Sequence, residues 1–409
     1  MSLGSTLRIA AIGGLAVAAA ACGDSSRVLA AIEPVADRLP AATDAPTAAW
    51  VAGVNAAGWN FHRHLQGNAV SSPLSIGMAF SLARAGASAD TAETLDQIFG
   101  FPEHASHSAA NAVDLALGEA SAASNTVEVA SRLFPDHEFA PLPEFLNTAA
   151  LHYGATLQPV DTADGETAAA AVNDWVSERT RDLIPAMVDA ATIQGQQLTL
   201  VNTVYLQADW QEPFLADLTN DGEFTTDAGQ TVTVPFMRDH EPLDRRYVVT
   251  DNADAVELPY AGGELAMWLV VPHERDGLEA VEEALDAAAV AGLSDVAQHG
   301  SVQLTMPKWT QELPAADIFS WLCPLGLCPG AGFDGIAPGI FITSAVHGAK
   351  VVVDEAGTEA AAATGMTFDE SAPPPPSLTV VADRPFLWAI VHREMRAVIF
   401  VGRLVNPAA

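Results

Sequence analysis

Val351-Val352-Val353-Asp354-Glu355-Ala356-Gly357-Thr358-Glu359-Ala360-Ala361-Ala362-Ala363-Thr364-Gly365-Met366-Thr367-Phe368-Asp369 is the stretch on which the reading of this chain turns. Counted by twos from Thr358, one face carries Thr358, Ala360, Ala362, Thr364, Met366 and Phe368, and the other Glu359, Ala361, Ala363, Gly365, Thr367 and Asp369. The first face is small or apolar and the second small or polar, the alternation of a half-buried strand. The segment then runs into Glu370-Ser371-Ala372 and four prolines, Pro373 to Pro376. Prolines donate nothing to a ladder and hold an extended, solvated backbone. The pattern therefore predicts a strand that ends in an exposed loop, while composition alone also fits an Ala-rich linker.

Within that stretch, Glu355-Ala356-Gly357-Thr358-Glu359-Ala360-Ala361-Ala362-Ala363-Thr364 resembles the reactive-loop hinge of serpins, suicide inhibitors of serine proteases whose cleaved loop adds a strand to a sheet. Outward from the hinge, further blocks resemble the same family in the right order. They are Asn68 with Ser72-Pro73-Leu74-Ser75-Ile76, Val201-Asn202-Thr203 through Trp210 with Pro213-Phe214, and Glu257-Leu258-Pro259-Tyr260. Met306-Pro307-Lys308, Ala345-Val346-His347, Asp383-Arg384-Pro385-Phe386 and Phe400-Val401-Gly402-Arg403 through Pro407 follow. Collinearity over most of the chain makes the resemblance specific.

The resemblance implies an α+β fold with a large, mostly antiparallel main sheet, further sheets, about eight or nine helices and an exposed loop over about 355–382. It implies a hinge of Glu355, Gly357, Thr358, Glu359 and Ala360 to Ala363, whose small uncharged residues let the sheet accept them. It brings Asn202 and His347 together, with Ser72 and Ser75 close by, beneath the sheet where the loop strand enters, and puts Trp210 on the same central strand as Asn202. It pairs Lys308, one of two lysines, with Glu355 at the top of the sheet. The family places the cut about sixteen positions after the residue matching Glu355, which lands on Ser371-Ala372 with Glu370-Ser371 as runner-up. A small residue there suits an elastase-like or subtilisin-like protease.

With 409 residues, 49% of them apolar, the chain can bury a large core, and the resemblance assigns 49–409 to one domain. A net charge of −33 is a poor match to phosphate backbones, so no nucleic-acid partner is expected. Arg8 followed by an apolar run from Ile9 to Ala21, too short to span a bilayer comfortably, reads as an export signal over residues 1–21. Ala19-Ala20-Ala21-Cys22 resembles a bacterial lipoprotein processing site, with cleavage at an Ala-x-Ala site as the alternative. Lipidation of Cys22 would make the product an envelope lipoprotein, and simple cleavage an extracellular protein. From Cys22 to about Ala48 the aperiodic Ala, Pro, Asp and Ser composition predicts a flexible tether. Cys323 and Cys328 lie close enough to bridge in an oxidising compartment, and three cysteines are too few for a four-cysteine zinc site.

Trp50, Val54, Ala57, Phe61 and Leu65 fall at helical spacing, and Ser72 before Pro73 reads as a helix cap. Leu198 to Trp210 is apolar on both faces and predicts a buried strand in which Asn202 must find hydrogen bonds. Leu265–Pro272, Val302–Met306, Phe341–Asp354, Phe386–Val391 and Val398–Leu404 read as strands, and Gly277–Leu293 as a helix. Gly330-Ala-Gly332-Phe-Asp-Gly335 spells a dinucleotide fingerprint but follows Cys328-Pro329 rather than a strand. His62-Arg63-His64 and His104 with His107 have loose metal spacing without a third ligand. No Gly-x-Ser-x-Gly elbow, HExxH motif or phosphate loop occurs. The expectation is a monomeric inhibitor with no catalytic residues, cofactor or metal, in which the target protease supplies the chemistry. A non-inhibitory serpin-fold surface or chaperone-like protein, and a lipoprotein hydrolase, are the rival readings.

Overall fold

The computed structural model describes residues 29–32, 34–119, 125–155, 157–358 and 375–409. The expectations on Cys22, Glu359, Ala360 to Ala363, Glu370, Ser371 and Ala372 lie outside the described residues. Among those described, α-helices and two large sheets are interspersed without βαβ repetition.

The larger sheet has ten strands. Two adjacent members, Leu265–Pro272 and Phe386–His392, are buried at every position, as continuous apolar runs require. The second sheet has five strands: β1 (Asn125–Pro135), β2 (Leu198–Asp209), β3 (Trp309–Asp317), β4 (Ser344–Val353) and β5 (Gly357–Thr358). Their order is β3-β4-β5-β2-β1. All pairings are antiparallel except a parallel contact between β4 and β2.

Helices cover both faces of this second sheet. Beneath it lie α1 (Thr47–His64) and α2 (Pro73–Arg84), whose Trp50, Val54, Phe61, Ile76 and Phe80 share a core with Leu200, Val204 and Leu206 of β2. Gly58 lets the two helices touch, since a Cβ there would stand 2.2 Å from the Pro73 Cβ. The cap on α2 forms as the sequence predicts, Ser72 accepting from the Ser75 amide at 3.2 Å. With α3 (Ser106–Glu119) and α4 (Pro143–Tyr153) to one side, α5 (Gly165–Arg179) covers the opposite face, where Trp175 packs with Phe134, Val201 and Val346. Alternate residues of β2 therefore face different helices, the period of two at work.

Two expectations change. Gly277–Leu293 is not one helix but three short ones, Leu278–Ala284, Ala287–Ala291 and Leu293–Val296. Leu285 is extended and Asp286 caps the next turn, accepting from the Ala289 amide at 2.7 Å. Splits of this kind raise the count to eleven α-helical segments among the described residues. Within the tether expected over 22–48, Ile32 and the residues from Arg38 to Pro40 are docked. The Ile32 amide donates to Leu157 O at 2.7 Å and the Leu39 amide to Leu151 O at 2.8 Å. Arg38 donates to Asn111 Oδ1 and pairs with Asp114, both at 2.7 Å, while Asn111 Nδ2 donates back to Leu39 O at 3.0 Å. A composition-based expectation misses this because the docking partners lie about seventy residues or more downstream.

Candidate functional site

Strands β4 and β2 touch at two places. At the lower end Ser344, Ala345, Val346 and His347 pair with Thr199, Leu200, Val201 and Asn202. At the upper end β5 stands between them, Thr358 opposite both Val353 and Ala208 and Gly357 opposite Asp209. Between these contacts, Thr203 to Gln207 and Gly348 to Val352 pair with nothing across the divide among the described residues. The result is a slot in the sheet, closed below and wedged open above.

The wedge is held by a dense set of bonds. Asp354 Oδ1 accepts from the Ala356 and Gly357 amides at 2.8 and 3.2 Å, tightening the turn out of β4. Gly357 has no room for a side chain, because a Cβ would stand 2.1 Å from Ala208 O. The Trp210 amide donates to Ala356 O at 2.8 Å, its indole N–H to Asp354 O at 3.0 Å, and the Phe214 amide to Glu355 O at 2.9 Å. Glu355 Oε2 meets Lys308 Nζ at 2.6 Å and its Oε1 accepts from Thr219 Oγ1 at 2.8 Å. Burial alone would raise the Glu355 carboxyl, but the bonds from Lys308 and Thr219 outweigh it and hold the group below the ordinary range. Thr358 is buried, with Oγ1 2.6 Å from Tyr260 Oη, and Tyr260 stacks on Trp210 at 4.5 Å. The first inward-facing residue of the hinge is thus already inside the sheet, where the sequence alone had it waiting outside.

At the lower end, Asn202 Oδ1 accepts from Ser75 Oγ at 2.6 Å and meets His347 Nδ1 at 2.9 Å. Its Nδ2 donates to Ser75 O at 2.7 Å and Ser131 Oγ at 3.0 Å. His347 Nε2 accepts the Ser72 amide at 3.2 Å. That bond fixes the tautomer, with the proton on Nδ1 donated to Asn202. Burial lowers the His347 imidazole to about 3, so it is neutral. Both ring nitrogens are engaged, which leaves no lone pair to act as a general base. The cluster joins α2, β1, β2 and β4 where the slot ends.

Ser72, Ser75, Asn202 and His347 come together as the resemblance implies, and Glu355, Lys308, Gly357, Thr358 and Trp210 form the second group at the other end of the slot. Sequence reasoning missed Ser131, Thr219, Asp354 and Tyr260. Tyr260 carried a signal, since it closes the Glu257-Leu258-Pro259-Tyr260 block; Thr219 carried none. Cys323 and Cys328 are joined by a disulfide away from the slot. The Gly330–Gly335 stretch holds the two-residue strand Ala331–Gly332, with no helix after it. His62 bonds to Glu282 at 3.0 Å and His107 to Tyr153 Oη at 2.7 Å. Asp136, His137 and Asp161 have potential ligand atoms within 4.8 Å of one another, but Asp136 already accepts from Glu138 N and from the amide and hydroxyl of Thr162.

A family model described as Serpin (serine protease inhibitor) matches residues 60–407. A serine protease inhibitor of Cyanea capillata is 32% identical over 371 residues, spanning 84% of this chain and 93% of that one. The leukocyte elastase inhibitor of Bos taurus is 31% identical over 360 residues, spanning 83% and 93%. The crystal structure of a thermophilic serpin, tengpin, in its native state is similar with a TM-score of 0.81 at 20% identity, covering 92% of this chain and 97% of that one.

Proposed function

The chain belongs to the serpin family, and on that premise we propose that it inhibits serine proteases as a suicide substrate. The protease attacks the loop after β5 and forms its acyl-enzyme, and the segment before the cut then enters the slot between β4 and β2.

One observation carries this reading. Continuing the register of Thr358 opposite Ala208 and Val353 brings Glu359 to Ala363 alongside Gln207 to Thr203 and Val352 to Gly348, the unpaired edges of the slot. Thr364 would then stand between Asn202 and His347, where the lower contact begins. The first part of insertion therefore fills space already open, and the second part has to part the Asn202–His347 bond. Further along the same register, Met366 would lie beside Leu200 and Phe368 beside Leu198, both core positions. About ten newly paired residues at ~1 kcal/mol each, plus burial of those two side chains, give a driving force on the order of ten kcal/mol. That is enough to distort a protease active site.

We assign the reactive bond to Ser371-Ala372, the target to an elastase-like or subtilisin-like protease, and Cys22 to a lipid anchor on an exported, monomeric protein. Mixing the purified protein with a panel of serine proteases is the test. A covalent complex stable to denaturant, with a released fragment beginning at Ala372, is the expected result. A fragment starting outside 371–374 would place the reactive bond elsewhere. Cleavage without a complex would turn the reading to a non-inhibitory serpin, and multiple turnover of an ester or peptide by the protein itself to a hydrolase.

A further inference from the structure

The outer edge of β1, on the far side of β2 from the slot, borders a cavity of about 360 Å³. Its walls include Arg132, Arg179, Trp175, Met78, Leu82 and Asp114. A volume of this size lies in the range of small-molecule sites.

Two of its wall residues are cationic. Most described guanidiniums in this protein sit against a carboxylate, but among the described residues neither Arg132 nor Arg179 does. Arg132 lies with its guanidinium carbon 4.9 Å from the centre of the Trp175 ring and gives one N–H to Gln158 Oε1 at 2.9 Å. Burial, and after it the charge of Arg179, lower the Arg132 group to about 10, with the neighbouring Glu178 opposing only in part. Asp114 does not neutralise the pair, because its carboxylate is taken by Arg38 at 2.7 Å. Two cations without a carboxylate and an apolar floor share one concavity. Like charges lining one cavity repel one another, and the complement that relieves this is an anion held by charged hydrogen bonds.

We propose that this cavity binds a small organic anion, a carboxylate or phosphate on a flat apolar body, with the anionic group between Arg132 and Arg179 and the body against Met78 and Leu82. The site is separate from the slot and does not rest on the inhibitory reading.

Titration calorimetry on the full-length protein tests it with benzoate and phenyl phosphate as probes, benzamide as the uncharged counterpart and inorganic phosphate as the anion without a body. The expected result is saturable one-to-one binding of benzoate or phenyl phosphate, the tighter of the two telling which anionic group the site prefers. Benzamide and inorganic phosphate should each bind about tenfold or more weakly, the worth of one charged hydrogen bond or of the buried ring. Arg132→Gln should weaken the probe by about tenfold and Arg179→Gln, at an exposed position, by several-fold. If Arg132→Gln does not fold, Arg179→Gln carries the test alone. Benzamide binding as well as benzoate, inorganic phosphate binding as well as phenyl phosphate, unchanged affinity in the variants, or no saturable heat at about 10 mM probe would each overturn the proposal.

Discussion

Asn202 is a polar side chain in an otherwise apolar strand, and its amide meets Ser75, Ser131 and His347 with every hydrogen-bonding direction in use. A satisfied polar group of this kind costs little where it stands, and removing it costs much, because its partners are left buried and unpaired. Asn202→Ala should lower stability by roughly 2–4 kcal/mol, read as a drop in thermal midpoint, whereas an exposed control such as Gln97→Ala should change it little. His347 adds a pH term. Its folded value, near 3, lies below the ordinary 6.5, so between these values the unfolded chain binds the proton and the folded one does not. The stability that His347 contributes is present in full above about pH 6.5 and is lost as pH falls through the window below it, by up to about 1.4 kcal/mol per pH unit. His62, His107, His152 and His392 are also lowered by burial and act in the same direction. Glu355, held low, adds its own loss below the carboxylate range. Melting curves from pH 7.5 to pH 4.5 should show a steady decline that is shallower in His347→Gln; equal slopes in the two proteins would remove His347 from the account.

At the scale of elements, β5 is two residues long, and on the inhibitory reading its docking is where loop insertion would start. Thr358→Arg would put a charge against the stacked Trp210–Tyr260 pair in a low-dielectric interior, at a cost of several kcal/mol, and should pull β5 out of the slot. Two consequences are expected before and after protease. Amide exchange at Gly357 and Thr358 should speed up in the free protein, and the variant should be cut at the same bond yet release active protease. Glu359→Arg, at the next position and so on the opposite face of an inserted strand, is the control and should remain largely inhibitory. Efficient trapping by Thr358→Arg would rule out insertion as the mechanism. The docked segment from Arg38 to Pro40 is a second element with a measurable role. Arg38→Ala removes the partner of Asp114 and one of the bonds to Asn111, and should cost about 2 kcal/mol through the carboxylate and amide it strands. A thermal midpoint equal to that of the parent would show the segment to be a passive passenger.

For the molecule as a whole, a charge of −33 bears on where it can stay. Anionic headgroups repel such a surface and no polybasic segment offsets this, so membrane attachment has to rest on acyl chains alone. With Cys22 diacylated, the protein should sediment with membranes at both low and high salt, and Cys22→Ser should release it to the soluble fraction in both. Mature protein with an unmodified N-terminus in the soluble fraction would set the anchor aside.

The sequence by itself carried the α+β class, the strands whose apolar runs are long enough to be buried on both faces, the Ser72 cap and the family. These are local signals: a period of two, a cap beside a proline, motifs in order. It also brought Asn202, His347, Ser72 and Ser75 together, though through resemblance rather than through any property of the residues read alone. Tertiary structure decided the rest. That Thr358 is already inside the sheet depends on Tyr260, about a hundred residues away, and on Gly357 fitting against Ala208 O. The split of Gly277–Leu293 depends on a cap outbidding helix propensity, and the docking of Arg38 to Pro40 on an Asn and an Asp of α3. That Arg132 and Arg179 line one cavity left no trace in the sequence. Apart from the helix split, which a cap three residues away decides, each of these is a contact between residues far apart in the chain, with energies set by burial and by the absence of competing partners, and neither can be read from a residue's immediate neighbours.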